Sequence, residues 1–145
     1  MNFKPLFAEF FGTALLVTAV VGSGIMGSNL SGDLLVALIA NAVSTALALG
    51  ILILTLGPLS GAHFNPVVSM ALAIDQRFKA VGVAPYLVAQ FAGAIAGAVL
   101  ANVMFGAEAI QVSSKGMVSE GAVIGEVVAT AGLVFIILNL IQTKR

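Results

Sequence analysis

Four long apolar segments dominate the sequence, and short polar connections separate them. They cover residues 6–26, 34–56, 85–105 and 122–141. Each is long enough for an α-helix to cross a hydrocarbon core roughly 30 Å thick, which takes about 20 residues. The pattern therefore predicts four transmembrane helices.

A fifth apolar segment, between the second and third spans, is much shorter. Asn65 is a favoured helix N-cap residue, and Pro66 suits the first helical position. The polar residues that begin with Asp75 end the apolar run. A helix over residues 66–75 would be about 15 Å long, half the thickness of the hydrocarbon core. We therefore expect a re-entrant half-helix that returns to the side from which it enters.

The composition agrees with a membrane protein and excludes several other classes. Hydrophobic residues make up 60% of the chain, charged residues only 8%, and the mean hydropathy is +1.14. Soluble domains carry about 25% charged residues. There is no cysteine and a single histidine, so we predict no catalytic residue, no metal site and no cofactor. Six basic residues balance six acidic ones without a basic cluster, so we expect no nucleic-acid partner.

The basic residues predict the orientation, because Lys and Arg near span ends stay on the cytoplasmic side. With four spans and one re-entrant segment, a single side holds Lys4, Arg77, Lys79, Lys144 and Arg145, and only Lys115 lies opposite. We therefore expect a multi-pass protein of the plasma (inner) membrane with a cytoplasmic amino terminus. A fully spanning fifth segment would move Lys144 and Arg145 outside, and it would also be too short.

The first and fourth spans resemble each other. Residues 9–17 and 126–134 share Glu, Thr, Ala and Val at matched offsets, with Gly12 corresponding to Ala129. In membrane transport proteins such symmetry often marks inverted repeats that meet at a midplane site. We therefore expect one complete repeat followed by the opening span of a second.

Residues 60–67 resemble the first signature of the aquaporin (major intrinsic protein) family, which usually reads SGAHxNPA. Residues 86–94 are similar to the pattern of the family's third span, and Glu9 and Glu126 match its glutamates on the first and fourth spans. The resemblance covers essentially the whole chain, residues 1–145. It implies an all-α membrane fold that is aquaporin-like, with four transmembrane helices, one re-entrant half-helix and an incomplete inverted repeat.

The chain departs from the family pattern in two ways. Val67 replaces the usual alanine beside the constriction, and the fifth and sixth spans, with the second Asn-Pro-Ala half-helix and its arginine, do not follow. The resemblance implies a passive channel component for water or small uncharged solutes, which needs a second half. It also implies a lipid membrane environment and a homo-oligomer, a tetramer, in the full-length form.

The half-helix and its preceding loop are the expected constriction. The resemblance places the pore beside Gly61, Ala62, His63, Phe64, Asn65, Pro66 and Val67. The positive end of the helix dipole would oppose cations and protons, and the Asn65 amide would donate to a passing solute. His63 either lines the pore or, as we favour, fastens the loop. The simpler alternative for the whole segment is an ordinary loop cap between spans.

Two further predictions concern residues within the spans. An ionisable group inside a span costs at least about 2.5 kcal/mol unless it is partnered, so Glu9 and Glu126 need partners. The family resemblance implies that these glutamates, with Gln90, hold the re-entrant loops; proton relay is the alternative for the glutamates. Counting back from the signature, Thr45 falls on the family's aromatic filter position. A small residue there implies a wider filter that admits glycerol or undissociated metalloid acids.

Several alternatives remain open at this point. The chain could be a non-transporting membrane protein that associates with a full channel subunit, or an ion-coupled transporter. Gly93 and Gly97 have the spacing that lets two helices approach closely, yet they could also be neutral small residues.

Overall fold

The computed structural model describes residues 3–111 and 119–143, which form helices and no strand. Their helices are α1 (Phe3–Leu30), α2 (Leu34–Ser60), α3 (Pro66–Ile74), α4 (Val83–Met104) and α5 (Glu120–Thr143), and a single 3₁₀ turn (Ala80–Gly82) precedes α4. Four of the helices are long and apolar enough to cross a membrane, whereas α3 has only nine residues. The predicted all-α membrane fold is confirmed.

The helix ends differ from the predicted bounds, most of all in α2. The second span was predicted over residues 34–56, but the helix continues through Pro58 to Ser60. Proline removes one backbone donor, and the helix ends instead at Gly61. There the backbone adopts a φ of 90° and its N–H donates to the Gly57 carbonyl oxygen, a glycine C-cap.

The other spans extend by a few residues beyond their apolar cores. α1 continues four residues past the predicted end at residue 26, to Leu30, and α5 begins at Glu120, two residues before the predicted start. α3 is one residue shorter than predicted, because Asp75 is its C-cap. Hydropathy identifies the apolar centre of a span, so it does not predict the more polar turns of helix on either side.

The charges behind the predicted orientation are only partly described. Lys4 lies in the first turn of α1, and Arg77 and Lys79 follow α3. Lys115, Lys144 and Arg145 lie outside the described residues. The cytoplasmic amino terminus therefore stays a prediction.

Helix α1 packs antiparallel to α2 through small and polar residues. The side-chain amide of Asn41 donates to the Val20 carbonyl oxygen at 2.6 Å and to Ser23 Oγ at 3.0 Å. Further along, Gly27 lies against the backbone of Ala37. An interhelical hydrogen bond of this kind is favourable in lipid, where water does not compete.

Helix α1 also packs against α4, and here two glycines set the distance. A Cβ atom on Gly93 would lie 2.3 Å from the Phe10 carbonyl oxygen, and one on Gly97 would lie 2.2 Å from that of Ala14. Thr18 Oγ1 donates to the Gly97 carbonyl oxygen at 3.1 Å. The order of these contacts makes α1 and α4 parallel, and it resolves the open alternative: both glycines are packing contacts.

The remaining helices are less enclosed. α3 lies against α4 and α5, and α3 is the only described helix that α5 contacts. No residue of α5 is buried within the described chain. The compact part of the molecule is therefore the group of α1, α2, α3 and α4, and α5 stands beside it.

We predict that Gly97→Ala destabilises the α1 and α4 pair. The new methyl group would overlap a backbone oxygen, and such overpacking costs about 1 to 3 kcal/mol. Thermal unfolding in detergent should show a lower midpoint. Gly132→Ala is the matched control, because a Cβ atom there meets nothing within 4 Å. Equal midpoints for the two variants would contradict the close approach.

Candidate functional site

The loop between α2 and α3 has an unusual backbone. Gly61 adopts a φ of 90°, and Ala62 and Phe64 adopt φ values of 52° and 47°. Positive φ is uncommon for residues other than glycine and persists where the surroundings enforce it. The strained segment therefore needs strong contacts to hold it.

Glu9 of α1 supplies those contacts. Its side chain is completely buried. Oε1 accepts from Ser60 Oγ at 2.6 Å and from the His63 N–H at 3.0 Å. Oε2 accepts from the Phe64 N–H and from Gln90 Nε2, both at 2.8 Å. An ionised carboxylate has room for four such donors, so one side chain joins α1, the end of α2, the loop and α4.

His63 joins the same cluster from the loop side. Its Nδ1 lies 2.9 Å from Ser69 Oγ, and Ser69 Oγ in turn accepts from Gln90 Nε2 at 3.0 Å. The ring packs edge-on against Phe78 and tilted against Tyr86, with centroids 4.8 and 5.1 Å apart. His63 is buried, and these contacts fasten the loop to α3 and α4.

Phe64 fixes the other side of the loop. Its ring lies on Gly12 so closely that a Cβ atom there would be 2.1 Å from Phe64 Cε1. Only glycine at this position leaves room for the ring. The corresponding residue on α5 is Ala129, so the two matched segments differ at the contact itself.

Sequence reasoning missed three of these contributors. Gly12 entered only through the internal similarity, although a glycine directly after two phenylalanines was a usable signal. Tyr86 Oη donates to the Ser60 carbonyl oxygen at 2.8 Å, and Ser69 bridges His63 and Gln90. Tyr86 opened the third-span pattern without a role being assigned to it, and its partner Ser60 lies 26 positions away. Ser69 bonds to Gln90, 21 positions away, only because α3 turns back toward α4.

The loop presents a row of polar groups that the protein leaves free. Asn65 Oδ1 accepts from the Val67 N–H at 2.8 Å, and Pro66 begins α3. Within residues 3–111 and 119–143, neither the Asn65 side-chain nitrogen nor any carbonyl oxygen from Gly61 to Phe64 makes a hydrogen bond. A donor and a series of acceptors therefore lie together where a small polar molecule could bind.

Two predicted site residues lie apart from this cluster. Glu126 is exposed on α5 and makes no hydrogen bond to the described chain. With Val67 and Ala71 it lines an apolar groove of about 680 Å³ between α3 and α5. Thr45 is half-buried on α2, and its enclosed hydroxyl has no partner among the described residues. In the described part of the chain no three potential metal ligands come together.

We predict that Glu9→Gln loosens the loop. Either orientation of the new amide would turn its NH₂ group toward two of the four donors. An unsatisfied buried donor costs about 1 to 3 kcal/mol, so the unfolding midpoint should fall. Hydrogen exchange of the His63 and Phe64 amides should accelerate.

The matched control is Glu126→Gln, which removes the same charge from an exposed position. In this chain it should change neither the unfolding midpoint nor the hydrogen exchange of the His63 and Phe64 amides. Slow exchange of the His63 and Phe64 amides in Glu9→Gln would contradict the supporting role of the carboxylate.

Comparison with known proteins identifies the family behind this geometry. The pattern of the major intrinsic protein family matches residues 1–145. Aquaglyceroporin AqpS of Rhizobium meliloti (strain 1021) is 47% identical over 138 residues, which cover 95% of this chain and 59% of that protein. Aquaporin Z of Brucella melitensis biotype 1 is 36% identical over 152 aligned residues, covering 94% of this chain and 64% of that protein.

A third relative aligns with a shorter part of this chain. Aquaporin-8 of Mus musculus is 38% identical over 101 residues, covering 70% of this chain and 37% of that protein. The chain thus spans about six-tenths of the length of AqpS and aquaporin Z. Because the family pattern matches from the first residue to the last, this chain, a multi-pass membrane protein, belongs to the major intrinsic protein family.

Proposed function

We propose that this chain is a component of a passive transmembrane channel for water or small uncharged solutes, in which residues 61–67 form one half of the constriction. The observation that carries the proposal is the free row of polar groups at the start of α3. The carbonyl oxygens of Gly61 to Phe64 and the Asn65 side-chain nitrogen find no hydrogen-bond partner in the described chain, although the loop connects two apolar helices. A file of solute or water molecules would satisfy them.

The depth of the loop supports this position. Phe64 packs on Gly12, which follows Phe3, the first residue of α1, by nine positions. Nine residues of α-helix rise about 14 Å. If α1 enters the hydrocarbon near Phe3, the loop lies close to the middle of a core roughly 30 Å thick.

Physical constraints at that depth favour a channel over an ordinary loop. Non-helical backbone inside a membrane is tolerated only within protein or against a water-filled cavity. The start of α3 also directs the positive end of its dipole toward the same place, which opposes cations and protons. Val67, 41% exposed there, adds two methyl carbons relative to the usual alanine and narrows the constriction.

The proposal requires a second half. α5 buries none of its residues and borders the open groove beside Val67, as expected for a helix whose partners belong to that half. In the complete channel we expect Glu126 to support the second loop, four copies to assemble as a tetramer, and the amino terminus to face the cytoplasm from the plasma membrane.

The most specific part of the proposal is the class of solute that passes through the channel. Aquaglyceroporin AqpS, whose name indicates glycerol, shares 47% of aligned residues with this chain. Thr45 is small where strict water channels of the family carry a bulky aromatic residue. A wide filter admits glycerol or undissociated metalloid acids, and we expect it here.

We predict that proteoliposomes containing only this chain show background water permeability. One constriction half cannot enclose a file of water. Fusing the chain to the carboxy-terminal remainder of AqpS should raise swelling rates in stopped-flow measurements well above background. Robust swelling with the chain alone would refute the need for a second half.

We predict that Thr45→Phe in this fusion selectively lowers glycerol permeability. A bulky ring at the filter should reduce glycerol flux at least tenfold and leave water flux within about twofold. Thr55→Phe is the matched control, because Thr55 lies exposed on the same helix. A packing role for the enclosed Thr45 hydroxyl would instead lower the unfolding midpoint and both fluxes together, which would overturn the filter assignment.

The unburied surface of α5 also favours a second candidate function. A non-transporting protein that associates with a full channel subunit would use the same exposed helix. Co-purification of this chain with full-length AqpS, together with permeability unchanged by the fusion, would favour association over transport.

A further inference from the structure

A second cavity lies at the end of the bundle where α1 and α4 begin. It has a volume of about 790 Å³, and its lining includes Pro5, Leu6, Arg77, Lys79, Val81 and Tyr86. α1 and α4 are parallel, so this end holds the starts of two spans. None of residues 61–67 lines this cavity, and it shares no lining residue with the groove at α5. Tyr86 borders both the cavity and the His63 ring.

The lining combines apolar walls with positive charge. Pro5, Leu6 and Val81 contribute hydrocarbon, and Arg77 and Lys79 contribute two cations. Arg77 Nε donates to the Asp75 carboxylate, and the remaining guanidinium N–H groups make no hydrogen bond to described residues. Of the described residues that line the cavity, none carries a carboxylate. Counting Asp75, one net positive charge remains at the rim.

The position of the charges matches a membrane surface. Lys79 directly precedes the 3₁₀ turn and the apolar segment that begins at Ala80. Two residues further, Val81 leaves 83% of its side chain exposed. A cation beside an uncovered apolar side chain is typical of the boundary between headgroups and acyl chains.

From this arrangement we propose that the cavity binds one anionic phospholipid. The phosphate contacts Arg77 and Lys79, and the upper part of an acyl chain lies against Leu6 and Val81. Basic pockets between transmembrane helices commonly bind acidic headgroups in this way. The proposal does not depend on transport, because binding is measured on the chain itself.

The shape of the cavity favours a lipid over a soluble phosphate compound. A free anion would use the two cations alone and leave the apolar walls in contact with water. A phospholipid covers both, and it is present at high local concentration wherever the starts of α1 and α4 meet the bilayer surface. The apolar contact should therefore contribute to affinity as well as the charge.

The test is native mass spectrometry of the intact chain in detergent, titrated with dioleoyl phosphatidylglycerol. We expect one phosphatidylglycerol to bind in preference to dioleoyl phosphatidylcholine. A basic residue near a membrane surface contributes about 1 kcal/mol, so Lys79→Gln should weaken phosphatidylglycerol binding about fivefold. Arg77→Gln should weaken it at least as much. Lys115→Gln, in the connection between α4 and α5, removes the same charge and should change nothing.

Four outcomes would overturn the proposal. The first is equal affinity for the two lipids, and the second is unchanged phosphatidylglycerol binding in both Arg77→Gln and Lys79→Gln. The third is full displacement of the lipid by millimolar glycerol 3-phosphate, which would assign the cavity to a soluble phosphate ligand. The fourth is dimerisation of the chain accompanied by loss of phosphatidylglycerol binding, which would show that the cavity is a contact surface between two copies. The unfolding midpoint of Lys79→Gln should equal that of the parent chain, since Lys79 is exposed. Arg77 is largely enclosed and paired with Asp75, so the midpoint of Arg77→Gln is measured beside its lipid binding, and Lys79→Gln is the variant that isolates the charge.

Discussion

The constraint on which the structure depends is a carboxylate buried inside a membrane domain. Glu9 has no exposed surface, and within the described residues no lysine or arginine donates to it, so neutral hydrogen-bond donors must compensate for its desolvation. Its four donors come from α2, the loop and α4. The same bonds hold Ala62 and Phe64 at positive φ. The four hydrogen bonds therefore both stabilise the buried Glu9 carboxylate and hold the strained loop backbone. This geometry suits a loop-supporting role for Glu9 better than proton relay.

The sequence predicted the parts of the fold that depend on local chemistry. Four spans followed from apolar length, and the start of α3 followed from the capping preference of Asn65 and the fixed φ of Pro66. Glu9 was identified because a charge within a span requires partners. Its particular donors, and the hydrogen bonds of His63, stayed beyond prediction because they join residues more than fifty positions apart, or depend on how α3 turns back.

Helix packing was the least predictable feature. Gly93 and Gly97 had the spacing of a close contact, but the sequence contains sixteen glycines, and several of them meet nothing. Whether a glycine is needed depends on what lies opposite, and only the structure placed the carbonyl oxygens of Phe10 and Ala14 there. The role of Gly12 was hidden for the same reason, since its partner Phe64 belongs to a distant loop.

The arrangement around Glu9 also governs how the chain can be made. Glu9 belongs to α1, which leaves the ribosome before its partners do: its nearest donor, Ser60, follows 51 residues later and Gln90 follows 81 residues later. During synthesis the Glu9 side chain therefore lacks these donors until the end of α2 and the loop follow, and it lacks the fourth donor until α4 follows. The parallel α1 and α4 contact then closes in the same step that supplies the last donor. The set of hydrogen bonds around Glu9 is thus complete only once α4 has docked.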